Sequence, residues 1–265
     1  MIKGNLHSIQ TLGAVDGPGL RTVVILQGCP LKCKFCHSVD TTLMDRGEEI
    51  EAEELVQQVI RNRPYWRKYL PHKADREVLD PRVIGGVTIT GGDPVAQPAF
   101  AAELLKRFKE EHVHTVLETS LFTSRSVIDM FIDNVDLWMI SLKHMDAGVH
   151  EDLVGRPMNT IHENLSYLDG RLAEMNKKKS IRIRYVVIPE ITNSPTAVQM
   201  LGTFVRKIES LECIELLPYV TMGRYKWIEL FGAYPLEGVP EATSEDVGKV
   251  EKVMKDLGVP TLKLV

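Results

Sequence analysis

The chain has 265 residues, of which 44% are apolar and 26% charged, and its formal net charge is −4 at pH 7. That length buries one large core or two small ones, and the balance is that of an ordinary globular protein, with no basic stretch to suggest nucleic acid. No apolar run approaches the roughly 18 residues of a membrane span, and the opening MIKGNLHSIQ lacks the charged-then-apolar layout of a signal peptide. A cytoplasmic protein with reduced thiols is the expectation, and clustered cysteines then point to metal or catalysis rather than to disulfides.

In chain order, the first strand candidate is TVVILQG (22–28), followed by GCPLKCKFCHSVD (28–40). A helix is expected over 51–64, and then a charged, Pro-bounded stretch at 66–82 reads as a surface insertion. Strand GVTIT (86–90) runs into TGGDP (90–94), and a helix follows over 98–112. Strand HTVLET (114–119), helix 124–134, strand DLWMISL (136–142) and helix 160–178 come next. Strand IRIRYVVIP (181–189) precedes a helix over 194–210, which Ser194 caps and Pro195 starts. Strand CIELLPY (213–219), helix 243–258 and a short strand TLKLV (261–265) complete the chain. Repeated strand–helix alternation predicts a parallel β/α architecture, as a closed or nearly closed barrel or as an open doubly wound sheet. In either, active groups gather at the C-terminal ends of the strands. The cysteine stretch, TGGDP, Glu118-Thr119 and Ser141-Leu142-Lys143 all fall there.

Three of the four cysteines, Cys29, Cys33 and Cys36, fall within eight residues at spacing Cys-x3-Cys-x2-Cys. A structural zinc ion wants four ligands. His37 could nominally complete the set, but neighbours in sequence rarely both turn to one ion, and Cys213 lies far away in an apolar strand and reads as core. An iron–sulfur cluster is the second reading: three thiolates hold three irons of a [4Fe–4S] cube, and the fourth iron stays open for chemistry. A redox-active thiol is the third.

The Cys-x3-Cys-x2-Cys loop after the first strand, with Phe35 before the last cysteine, resembles the signature of the radical S-adenosylmethionine (SAM) enzymes. Upstream, Asp16-Gly17-Pro18-Gly19 and Arg21 are similar to the opening of the glycyl-radical-enzyme activating enzymes, and in particular of the pyruvate formate-lyase activators. The segments GGVTITGGDP, IRIRYVVIP and IELLPYVTMGRYKW extend the resemblance over nearly the whole chain.

The resemblance implies a single radical SAM domain over 1–265, folded as a partial parallel (β/α)6 barrel. It implies one [4Fe–4S] cluster held by Cys29, Cys33 and Cys36, with SAM chelating the open iron. Phe35 and His37 would lie near the adenine, and Gly91, Gly92 and Asp93 at the methionine end. Lys143 would stand beside the SAM pocket. Arg184 is a candidate for gripping a partner's glycine loop, against the alternative of an ion-paired strand residue.

The implied reaction is reductive cleavage of SAM and removal of a Cα hydrogen from a glycine of a glycyl radical enzyme. Flavodoxin or ferredoxin would be the electron donor, the chain a monomer, and the setting anaerobic. A small-molecule target, or a zinc or electron-transfer protein, are the alternatives. Three departures stand out. Asp93 replaces a Glu. Glu118-Thr119 and Ser141 stand where the family binds a monovalent cation with an Asp-Thr pair and a further Asp, so that site is expected to be altered or absent. Val220 stands where the pyruvate formate-lyase activator has a His. The histidines outside the cysteine loop are scattered and read as surface or core.

Overall fold

The computed structural model describes residues 2–66 and 85–263. Nine strands form one sheet: β1 (Lys3–Gly13), β2 (Arg21–Leu26), β3 (Glu48–Glu51), β4 (Gly86–Gly91), β5 (Thr115–Thr119), β6 (Leu137–Leu142), β7 (Ile181–Val187), β8 (Leu211–Pro218) and β9 (Thr261–Lys263). Their spatial order is β3-β1-β2-β4-β5-β6-β7-β8-β9. From β2 to β9 every pairing is parallel, whereas β1 runs antiparallel to both β2 and β3. The helices are α1 (Ala52–Ile60), α2 (Arg63–Trp66), α3 (Pro98–Glu110), α4 (Arg125–Phe131), α5 (Ala147–Val154), α6 (Asn159–Glu174), α7 (Pro195–Val205), α8 (Arg224–Phe231) and α9 (Ser244–Asp256).

Alternation along each strand sorts residues onto two faces. Val24, Leu26, Val87, Ile89, Leu117, Trp138, Ile140, Ile183, Tyr185, Ile214 and Leu216 join the main core with the apolar sides of α1, α3, α6, α7 and α9. The opposite face carries Thr88, Thr90, Glu118, Ser141, Arg182, Arg184 and Glu215. It is curled rather than flat: Arg184 on β7 bonds Glu118, two strands away, at 2.8 Å. The same guanidinium also reaches the Val15 carbonyl, in the loop before β2, at 3.2 Å. Among the described residues β3 and β9 are the edges, so the sheet is an unclosed, partial barrel, as the resemblance implied.

The Asp16-Gly17-Pro18-Gly19 loop is fastened to this inner face. Arg21 is fully buried and donates to Thr88 Oγ1 and to the carbonyls of Pro18, Val87 and His114. Thr88 Oγ1 in turn donates to the Asp16 carbonyl at 2.6 Å.

Each expected strand is present, and Ser194 caps α7 by accepting from the Ala197 amide at 3.2 Å. Four features were not foreseen: the antiparallel pair β1 and β3, and the helices α5 and α8. The expected helix over 51–64 breaks at Arg61–Asn62 into α1 and α2, and those over 160–178 and 194–210 end early, at Glu174 and Val205. Of the stretch at 66–82, Trp66 is buried and its indole donates to Thr22 Oγ1 at 2.9 Å. The rest of that stretch lies outside the described residues.

Candidate active site

The cysteine loop leaves β2 at its C-terminal end and is held by backbone bonds on both sides. The Gly28 amide donates to Thr41 O, and the Lys32 and Lys34 amides donate to Val154 and Leu153 at the end of α5. The Cys36 amide closes a turn onto Cys33 O at 3.0 Å. From the far side, Trp227 Nε1 donates to the Cys36 carbonyl at 2.8 Å. Cys33 and Phe35 pack on a satellite core of Leu153, Val154, Ile188, Tyr219, Tyr234 and Leu236, separate from the main one.

All three thiols are free and half-buried. Burial pushes the Cys36 thiol up to about 12 and raises those of Cys29 and Cys33 as well. Such thiols keep their protons until a metal displaces them. The Leu31 amide points at Cys29 Sγ at 3.4 Å, the kind of N–H···S contact that iron–sulfur sites use. Among the described residues, no three His, Cys, Asp or Glu side chains converge as ligands of one metal ion. A cubane spreads its three thiolates over separate irons, so the donor set fits a cluster better than a zinc ion.

Beside this loop, β4 runs into Gly91-Gly92-Asp93. A Cβ on Gly91, whose φ is +150°, would stand 2.1 Å from Leu26 O, and one on Gly92 would stand 2.2 Å from Gly28 O. Only glycine allows the β4 end to lie this close against the base of the cysteine loop.

Asp93 is one of the residues the resemblance puts at the methionine end of SAM. In the structure both of its oxygens have protein partners. Oδ1 accepts from Thr119 Oγ1 at 2.7 Å and the Val95 amide at 3.2 Å, and Oδ2 accepts from the amide and hydroxyl of Ser120 at 2.8 and 2.6 Å. Burial lifts the Asp93 pKa, and these four bonds oppose the rise. One methylene less than Glu lets the carboxyl turn back onto the end of β5. Ser120 was missed in the sequence; its one signal was its place directly after Glu118-Thr119.

On the inner face, Glu118 Oε1 accepts from Arg184 and Oε2 accepts from Thr90 Oγ1 at 3.1 Å. Burial acts to raise the Glu118 pKa, but the Arg184 charge and hydrogen bond, with Lys143 and Thr90, hold it below the usual carboxylate range. Arg184 also faces Glu215 at 3.3 Å, and Arg182 faces the same carboxylate at 3.1 Å. The guanidinium of Arg184 is thus engaged within the chain, which is the ion-paired arrangement weighed above.

Ser141 lies beside Arg184 in the sheet register. Lys143 sits with its ammonium 5.4 Å over the Phe35 ring, which joins the end of β6 to the cysteine loop. His37 is exposed on that loop, and Val220 is 37% exposed past β8. Cys213 is half-buried at the start of β8 rather than in the core.

Residues 15–147 match the family described as a 4Fe-4S single cluster domain. The chain is 34% identical over 257 residues to the pyruvate formate-lyase-activating enzyme of Clostridium pasteurianum, covering 97% of this chain and 99% of that one. It is 33% identical over 257 residues to the pyruvate formate-lyase 1-activating enzyme of Escherichia coli K12, covering 96% of each.

The chain belongs to the pyruvate formate-lyase-activating enzyme family.

A radical SAM methyltransferase from Sphaerobacter thermophilus shares the fold of this family member, with a TM-score of 0.64 over 98% of this chain and 77% of that one at 16% identity. The match to a 4Fe–4S family spans the cysteine loop and favours a cluster over zinc among the open readings.

Proposed function

We propose that this chain is a radical SAM activating enzyme, which cleaves S-adenosylmethionine reductively and removes a Cα hydrogen from a glycine of a partner glycyl radical enzyme, pyruvate formate-lyase or a relative. The observation that carries this reading is the three-cysteine loop at the C-terminal ends of the strands, with the Gly91-Gly92 turn packed against its base. Its family relatives bear the name of that activity. When bound, the cluster and SAM supply the one-electron chemistry that makes the hydrogen-abstracting group.

The chain's own residues position and exclude. Cys29, Cys33 and Cys36 are the residues that would hold the cluster. Gly91 and Gly92 present bare backbone to the methionine end of SAM, while Asp93 shapes that turn through Thr119 and Ser120. Phe35 and His37 would lie toward the adenine, and Lys143, whose ammonium stands 5.4 Å over the Phe35 ring, would supply positive charge beside it.

Both oxygens of Glu118 are engaged, Thr119 Oγ1 is committed to Asp93, and Ser141 brings no carboxylate. These three residues are a poor cation cage, and the monovalent-cation site is altered or absent. The electron donor is a small carrier such as flavodoxin or ferredoxin, and the protein acts as a cytoplasmic monomer. Among the described residues no helix is long and apolar enough to cross a membrane.

The test is anaerobic reconstitution with iron and sulfide, then incubation with SAM, a reductant and candidate glycyl radical enzymes from the same organism. A glycyl doublet in electron paramagnetic resonance, with formation of 5′-deoxyadenosine, is the expected result, and replacing any of Cys29, Cys33 or Cys36 by Ala abolishes both. Production of 5′-deoxyadenosine with no doublet on any candidate would overturn the protein target. A chain that retains no iron would overturn the reading altogether.

A further inference from the structure

α8 is unusual among the helices of this fold. None of its residues is buried, and Tyr225, Ile228 and Phe231 are exposed on it. The main core therefore does not hold it in place. Its attachments run instead to the segment from Cys36 to Asp40. Trp227 Nε1 donates to the carbonyl of Cys36 at 2.8 Å. The Lys226 ammonium reaches both oxygens of Asp40, at 2.8 and 2.9 Å, and His7 Nε2 braces the same carboxylate at 3.1 Å. At the start of the helix Gly223 is buried against His37, where a Cβ would stand 2.4 Å from the His37 Cα. The Trp227 ring also lies edge-on to Tyr234, 6.4 Å between centroids, which ties the clamp to the satellite core under Cys33 and Phe35.

We propose that α8 is a clamp on the cluster loop and that Trp227 is a positioning residue for the third ligand, Cys36. This rests on the cluster reading given above. The indole N–H fixes the orientation of the peptide that follows Cys36, and with it the direction of the sulfur and of a backbone dipole beside the cluster. Hydrogen bonds and dipoles next to a ligand set both the hold on the metal and its reduction potential. Lys226 and Gly223 hold the two ends of the same segment, so releasing the indole frees Cys36 and leaves the rest of the loop in place.

The experiment uses the reconstituted holoprotein and the variant Trp227→Phe, which keeps an aromatic ring against the satellite core while removing the donor together with part of the indole. A net hydrogen bond is worth about 1 kcal/mol, or about a five-fold change in an equilibrium. The variant is expected to load iron and sulfide as the parent does, to lose iron to a chelator about five-fold faster, and to show a shifted midpoint potential in anaerobic redox titration. Lys226→Met, which releases the Asp40 tie while leaving the indole in place, is expected to speed iron loss as well, and it carries the test if Trp227→Phe melts below working temperature. Parent-like iron loss and potential in both variants would overturn the clamp. A parent protein that takes up no iron would overturn the cluster reading instead, so the two failures are distinguishable.

Discussion

Replacing Arg184 by Met tests whether the inner face of the barrel is held by ion pairing. The guanidinium bonds Glu118 at 2.8 Å, faces Glu215 at 3.3 Å and donates to Val15 O at 3.2 Å. Glu118 and Glu215 keep only 19% and 1% of their side-chain surface exposed. Removing one partner of a buried pair costs about 3–5 kcal/mol, because the other charge stays buried. Arg182 still faces Glu215 at 3.1 Å, so the loss falls mainly on Glu118 and the lower end applies. At about 2–4 °C per kcal/mol for a chain of this size, about 3 kcal/mol lowers Tm by roughly 6–12 °C.

The pH dependence has a definite sign. In the parent, Glu118 is held below its ordinary value of 4.5, so its contribution is present above that value and lost as pH falls through the folded pKa. In Arg184→Met, burial is the largest remaining influence and outweighs what Lys143 and Thr90 still contribute, so Glu118 is pushed up and the sign reverses: the protonated form suits the fold, and stability falls as pH rises through the new pKa. The gap between parent and variant therefore widens from acid toward neutral pH, and Glu118→Gln in the variant background recovers part of it. Thermal melts of the apoprotein across pH measure this. A variant melting with the parent at neutral pH, or a gap that does not narrow toward acid, would refute the argument.

Asp93→Asn places an amide donor against the Ser120 donors in a buried site, at a cost of about 2 kcal/mol, read as a Tm drop of roughly 4–8 °C; an unchanged melt would count against the clasp onto β5. Gly92→Ala drives a Cβ to within 2.2 Å of Gly28 O, backbone that cannot yield cheaply, and is expected to lower iron and sulfide retention per chain. Exchanging potassium for choline at constant ionic strength is expected to leave 5′-deoxyadenosine formation unchanged, and a saturable rise with potassium would show that a cation site persists.

The parallel strands were legible because β-branched and aliphatic runs such as TVVIL and GVTIT are buried and separated by helical patterns. β1 escaped because only Leu6 in it is buried; a strand wet along most of its length carries no clean alternation. α5 did carry signals, with Asp146 accepting from the Val149 amide and Gly155 in the left-handed conformation at its end, but eight residues gave too short a period to register. α8 had no such pattern to offer, since it buries nothing and follows the cysteine loop instead. The cluster ligands were readable for the opposite reason: three thiols at fixed spacing are a chemical signal that needs no packing context. The partners of Asp93 were not readable, because a carboxylate's direction depends on which donors the fold brings near. Here all but the local Val95 amide come from the end of the next strand, 26 and 27 residues on.

The shorter carboxylate of Asp93 joins the turn after β4 to the end of β5, where Leu121 is held at a φ of +62° with its carbonyl bound by Asn164 of α6. A non-glycine residue in that conformation persists only when its surroundings over-determine it. Asp93 supplies one side of that determination through Thr119 and Ser120, and Asn164 supplies the other. The same strand end carries Glu118, which Arg184 ties to β7 and to the loop before β2. The rim at the C-terminal ends of the strands is therefore cross-linked by side chains from β5, β7, α6 and the turn after β4. Ser141 on β6 lies beside Arg184 in the sheet register, so β6 runs through the middle of this cross-linked rim.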